Sequence, residues 1–460
     1  MVQYYPAVSI PVAARRASMK YSRQIAQRIR VPFLSAMIAT LTAAVPAVQA
    51  YEVWLTDQSD TGKESGGFLY IYDGAQLAAN PSSAKPSQTI DFSGEIGTFC
   101  EEATKKAVRR PHMLFFNAGQ DHAIISFLSG QVLFMDAATK KPDACLSMGK
   151  NVHAAWPTPD QKMAIAANIA EKKFIRIWTD YAAHKFTFDP EKDVINLGAL
   201  EGGERPDTSP ICPITESSSR YAFVTLRGGG LIVVDVTATP MAVVATLNNN
   251  QIHPAGCGGI QAGDTLYINS GGGWPVAPLS YDVYAIDMSN LPKSVSAKLV
   301  SQRDDRFADS HGMAAVGRYV WSADRAGNNV EIIDTLSNLS VGSVDLTTDA
   351  NRDPAPDLMD VAPDGQYVFV GLRGPNPLTG NDKTVNNAKG TVPGVGVIHV
   401  DADGKIGHYK GQAAITNLKD GKETADTHGI AIRTTGESRT ITSFPIGTIV
   451  EGGALPKKKK

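Results

Sequence analysis

The stretch Asp309–Thr335, DSHGMAAVGRYVWSADRAGNNVEIIDT, holds three short strands and two turns in ~27 residues. A polar opening leads into the first strand, Gly317 turns the chain, and Tyr319-Val320-Trp321 alternates as the second. A turn at Ala326-Gly327-Asn328 then leads to Val330–Asp334. This is most of one propeller blade.

The same order recurs from His112 (HMLFFNAGQDHAIISF), His153 (HAAWPTPDQKMAIAAN), Cys212 (CPITESSSRYAFVTLR), Cys257 (CGGIQAGDTLYINS) and Asp357 (DLMDVAPDGQYVFVGLR). Each copy is followed by a third strand, commonly ending in Asp, and the spacing suits the ~40–50 residues of a four-stranded blade. A seventh copy is divided. His428–Arg433 supplies an inner strand, while Tyr51–Thr56, Phe68–Tyr72 and Thr89–Phe92 supply the others. The pattern predicts an all-β, seven-bladed propeller of four-stranded antiparallel blades, its ring closed by N- and C-terminal strands sharing one blade. Such closure removes exposed sheet edges.

Residues 1–50 carry six Lys/Arg and no acid, with an apolar run from Val31 to Val48 and a small-residue end at Val48-Gln49-Ala50. This reads as a secretory signal, with Met19 an alternative start. Pro32 and Pro46 interrupt the apolar run, which argues against a permanent membrane span. Residues 51–456 are then one propeller domain and Lys457–Lys460 a solvated basic tail. Without the six basic residues, 38 Lys+Arg stand against 46 Asp+Glu, a balance that excludes nucleic acid as a natural partner. Gly74–Ser87 reads as a surface loop and Glu101–Arg110 as a charged connector. The expectation is a monomeric periplasmic or secreted protein.

Successive strands run up and down, so the start of each inner strand shares a face with the second-to-third-strand turn. Three of those turns are enlarged: Asp57–Gly67, Gly271–Ser280 and Gly374–Gly394. Long loops in a compact fold usually form binding surfaces, so function is expected on that face.

On that face the aligned inner-strand starts are His112, His153, Cys212, Cys257, His311, Asp357 and His428. His253, four residues before Cys257, competes with it for the axis. His122, His184, His399 and His408 fall elsewhere and are expected to have ordinary surface or packing roles. One reading of the ring is transition-metal binding by His112, His153, His311 and His428, since imidazole suits copper or zinc. The other is hydrogen bonding between blades. In the recurring D-[ST]-H-G, Asp309 and Asp426 lie two residues before His311 and His428, so each can bond its own histidine. Cys212 and Cys257 can form a disulfide or supply two thiolates to a metal, and Cys100 and Cys145 are another pair.

Arg227, Arg325 and Arg373 end second strands and point toward the same mouth. They are suited to holding an anion or to pairing with Asp207, Asp309 or Asp357. Together with Asp357 and Trp274, which sits on a Gly-flexed loop and can cover a ligand, they form the expected ligand-binding set.

VAPDGQYVFVGLRGPNP (361–377), with the recurring V-x-x-[IV]-D third strands, resembles the bacterial YVTN-type seven-bladed propellers over almost the whole chain beyond residue 50. That likeness implies an exported propeller and assigns no chemistry. More remotely, the ring is similar to the His-lined propellers of nitrous oxide reductase and thiocyanate dehydrogenase, whose blade histidines bind a copper cluster. His112, His153, His311 and His428 match in type of position. Two departures stand: no cupredoxin-like stretch follows His428, and Cys212 and Cys257 occupy positions where the resemblance wants histidine. The chain has no C-x-x-C-H, P-loop, G-x-S-x-G or H-E-x-x-H. The sequence therefore predicts a propeller that binds a small molecule or a periplasmic protein at its channel mouth. A copper-dependent periplasmic oxidoreductase at the same mouth is the alternative.

Overall fold

The structure, a computed structural model, describes residues 50–60, 65–272, 279–303, 308–379, 388–435 and the backbone of 448–449. Trp274, most of the signal sequence and the basic tail lie outside these residues.

Seven antiparallel blades of four principal strands close a ring. Numbered along the chain, blade 1 comprises Tyr51–Asp57, Phe68–Asp73 and Gln88–Asp91, completed on the inside by Thr427–Thr434. The closing pairs include Val53 with Ile432 and Leu55 with Ile430. Blades 2 to 7 have inner strands Pro111–Phe116, Val152–Pro157, Pro210–Thr215, Gly259–Ala262, Ser310–Val316 and Pro356–Val361. The three strands that follow each of these lie progressively outward.

Burial falls from axis to rim. Pro111–Phe116 is buried throughout, whereas the rim strands Ala242–Leu247 and Ile406–Ala414 are largely exposed or half-buried. Blade-to-blade packing fills the interior, as where Phe115 meets Trp156 with ring centroids 4.5 Å apart. Such large side chains clamp neighbouring sheets face to face.

The stretches expected to be loop and connector contain helix. Gly74–Ala79 is capped by the Asp73 side chain, which accepts from the Gln76 N–H. Glu95–Thr104 is a three-turn helix burying Ile96 and Cys100, four residues apart on one face. A disulfide from Cys100 to Cys145 ties this helix to the rim strand Pro142–Ser147. Ten residues are too few for helical periodicity to stand out from a strand-rich sequence.

Candidate metal centre at the channel mouth

Six of the seven ring residues sit where an inner strand breaks register, while Cys257 lies just before the regular strand Gly259–Ala262. The pairing shifts between Pro111 and Leu114, Val152 and Ala154, Pro210 and Pro213, Ser310 and Met313, and Pro356 and Met359. Blade 1 has the equivalent break opposite Leu55 and Asp57. An irregularity of this kind leaves one residue out of the ladder and re-aims its side chain. The blades thereby turn His112, His153, Cys212, His311, Asp357 and His428 out of strand alternation.

The backbone N–H groups at these breaks find side-chain acceptors on the second strand. Thr56 Oγ1 accepts from Gly429 N (2.8 Å), Thr225 Oγ1 from Cys212 N (3.1 Å) and Ser126 Oγ from Met113 N (3.3 Å). Asn269 Oδ1 accepts from Gly258 N at 2.9 Å. The same four side chains donate to the next blade, at the carbonyls of His112, Gly256, His153 and His311. The breaks of blades 1, 2 and 4, and the chain just before the inner strand of blade 5, are thus each stabilised by a group that also fixes the neighbouring ring position.

The four histidines form one row across blades 3, 2, 1 and 6. The His153 and His112 ring centroids are 4.3 Å apart, His112 and His428 stack at 3.9 Å, and His428 and His311 lie 5.4 Å apart. All four are buried. Gln58, from the enlarged blade-1 loop, donates its amide to Asp426 Oδ2 and Thr379 Oγ1. Its Oε1 therefore faces His112 Nδ1 at 2.8 Å, and Nδ1 must be the donor. Asp357 Oδ2 lies 2.6 Å from His428 Nδ1 and fixes the same tautomer there. His112 Nε2 and His428 Nε2 are left as buried lone pairs with no protein donor. Neither ring nitrogen of His311 makes a hydrogen bond, although Nε2 stands 3.3 Å from Asp357 Oδ1.

Asp357 is the charge hub. Arg373 Nη1 reaches it at 2.7 Å and Arg325 Nη1 at 3.7 Å, while those guanidiniums also clasp Asp426 and Asp309. The D-[ST]-H-G expectation is corrected here: Asp309 and Asp426 hold arginines, and the carboxylate on His428 comes from blade 7. With the strand out of register at Ser310–Met313, two-residue spacing no longer puts Asp and His on one face. Burial alone would raise the Asp357 carboxyl, but His428, His311, Arg373 and Arg325 hold it well below the usual range. Burial, reinforced by neighbouring positive groups, pushes His112 and His311 well below the ordinary imidazole value and His153 to about 3. Burial also lowers His428, against the pull of Asp357. These shifts favour the neutral imidazole, the form that ligates metal.

On the remaining arc Cys212 and Cys257 are joined in a disulfide, their Cα atoms 5.1 Å apart, which removes them as thiolate ligands. Adjacent inner strands come closer near the axis than a span across the channel suggests, so the bridge fits. His153 Nδ1 lies 3.6 Å from Cys212 Sγ. His253 instead bonds Asp282 at 2.6 Å. Arg227 pairs with Asp207 at 2.5 Å and keeps 43% of its side chain exposed, whereas Arg325 and Arg373 are buried. Sequence reasoning missed Gln58 and the Thr56, Ser126, Thr225 and Asn269 relay. Only their recurrence at one place in the second strand could have signalled the relay.

No protein-family model and no curated protein matches the chain. Among solved structures it is similar to a hypothetical selenium-binding protein from Sulfolobus tokodaii, with TM-score 0.57 and 10% identity over 85% of this chain and 96% of that one. It is also similar to a protein from Lactobacillus plantarum, with TM-score 0.55 and 11% identity over 83% and 99%. These likenesses agree with the propeller fold and carry no activity across.

Proposed function

We propose that the channel mouth is a buried transition-metal centre held by His112, His153, His311 and His428, that copper is its metal, and that the chain is an exported oxidoreductase acting on a small molecule there. The observation that carries this reading is the set of buried, unpartnered nitrogens: Nε2 of His112 and His428 and both nitrogens of His311. Buried imidazole nitrogens without a partner are costly, and a bound cation satisfies those it reaches; ligand atoms of His311, Asp357 and His428 already lie within 4.8 Å of one another. Gln58 and Asp357 supply the outer support that orients metal-binding imidazoles. An all-imidazole donor set favours copper among common divalent ions. Bound copper would supply one-electron transfer. Arg227 at the rim is the contact for an anionic substrate.

Export by residues 1–50 and a propeller over 51–456 belong to the same reading. Two disulfides support an oxidising compartment, and among the described residues no helix is long and apolar enough to cross a membrane. The YVTN-type repeat reading agrees with the seven blades. The test is elemental analysis of protein recovered from a bacterial periplasm and dialysed. Stoichiometric copper in wild type and its loss in His112→Ala and His428→Ala is the expected result. Zinc in its place would correct the metal, and no bound metal in wild type would sink the centre.

A further inference from the structure

The face opposite the histidine row carries a second convergence, assembled from two blades. His122 begins the second strand of blade 2, Asp143 lies in its rim strand, and His184 lies in the third-to-fourth-strand turn of blade 3. These positions fall at the ends of strands remote from the inner-strand starts, so the cluster belongs to the far mouth.

One ligand atom from each of the three residues lies within 4.8 Å of the others. Asp143 is the bridge: Oδ2 stands 3.1 Å from His122 Nε2, and Oδ1 stands 3.0 Å from His184 Nδ1. His122 Nδ1 is already held by Asp121 Oδ1 at 2.8 Å, the outer carboxylate that fixes a ligating imidazole's tautomer. That contact leaves Nε2 as the free lone pair. His122 is 4% exposed, and its Nε2 and Asp143 Oδ2 are buried without a hydrogen-bond partner despite their proximity. Two acceptors facing each other in a buried place call for a cation. Tyr181 and Phe186 pack around the His122 ring and shield its inner side, with centroids 4.9 and 6.1 Å away. His184 takes a left-handed backbone conformation, φ 49°, and stands at the solvent edge.

We infer that His122, Asp143 and His184 form a second transition-metal site, of the zinc class, joining blades 2 and 3 on the face opposite the channel-mouth histidines. Two imidazoles and one carboxylate with an open outer side match the three-ligand zinc arrangement, water taking the remaining position. A competing account is a plain ion-pair cluster in which Asp143 bonds two protonated imidazoles. His399, Asp401 and His408 make a similar two-histidine, one-carboxylate arrangement on blade 7, with His408 Nε2 3.0 Å and His399 Nδ1 3.4 Å from Asp401, but it is largely exposed. It is therefore the internal control.

The test is titration of metal-stripped full-length protein with zinc by calorimetry, repeated with cobalt(II) for its visible ligand-field bands. His184 is exposed, so His184→Ala is expected to fold as wild type does. It and Asp143→Asn should each lose one zinc equivalent or weaken it at least tenfold, while His408→Ala leaves the titration unchanged. The cobalt bands of wild type and His408→Ala should lose in His184→Ala the contribution of one equivalent, whatever the channel-mouth histidines bind. Identical stoichiometry and affinity in wild type and His184→Ala would overturn the site, as would an equal loss in His408→Ala. Because His112, His153, His311 and His428 are intact in all these proteins, the result is independent of the channel-mouth centre.

Discussion

Gln58 decides which nitrogen of His112 is free, and Asp357 does the same for His428 while balancing two arginines. Asp357→Asn should therefore destabilise the protein by about 3–5 kcal/mol in urea unfolding, because it leaves buried guanidiniums short of a counter-charge. A loss below about 1 kcal/mol would show that the hub is not needed. The histidines predict a second effect. Each is held below its ordinary value, so the unfolded chain takes up its proton near pH 6.5 while the folded chain does not. The stability they contribute is present above that value and falls as the pH drops below it. Asp57, pushed up to about 6 by burial, opposes this by binding its proton first in the folded state. Comparing wild type with His112→Gln isolates one imidazole. The variant's stability should fall less steeply below pH 6.5, by up to about 1.4 kcal/mol per pH unit. Equal slopes would mean that His112 is not neutral in the folded protein. The ring residues themselves were legible, because repeat alignment puts them at one position. Gln58 was not, since its partners lie 54 and more residues away in sequence.

At the scale of the strand, legibility follows burial. Inner strands such as Pro111–Phe116 and Val152–Pro157 are buried throughout and mostly apolar, so their starts could be aligned from sequence. Rim strands such as Leu339–Asp345, LSVGSVD, bury little and leave a weak pattern, and the sequence shows three strands of a blade more clearly than four. The register break at each inner strand is invisible in single copies, because one displaced residue does not change composition. The divided blade was legible, and it has a direct test. Thr427–Thr434 pairs along Tyr51–Asp57, so deleting everything after Ala425 strips blade 1 of its inner strand. The truncated chain should melt well below wild type and self-associate through the bared edge, as read by thermal unfolding and light scattering. An unchanged melting temperature in a monomer would rule out closure by this strand.

For the molecule as a whole, a closed ring gathers side chains more than three hundred residues apart, His112 and His428, into stacked contact. A metal bound there ties four blades together, so its effect on stability should be global. A ligand that binds only the folded state stabilises by RT ln(1 + [L]/Kd), about 2.7 kcal/mol at a hundredfold excess over Kd. Copper added to stripped wild-type protein should therefore raise the melting temperature, and His311→Ala and His428→Ala should each lose most of that rise. His408→Ala, exposed on the rim of blade 7, should retain it. Lowering the pH should shrink the rise wherever protons compete with copper for imidazole. If the ring only bonds blades together, the outcome differs: His428→Ala would melt lower without copper, through loss of its bond to Asp357, and copper would shift no variant. Melting curves of these four proteins with and without copper separate the two, because the first reading places the difference in the metal response and the second places it in the metal-free protein. An equal copper shift in all four would point to scattered surface binding and count against the ring.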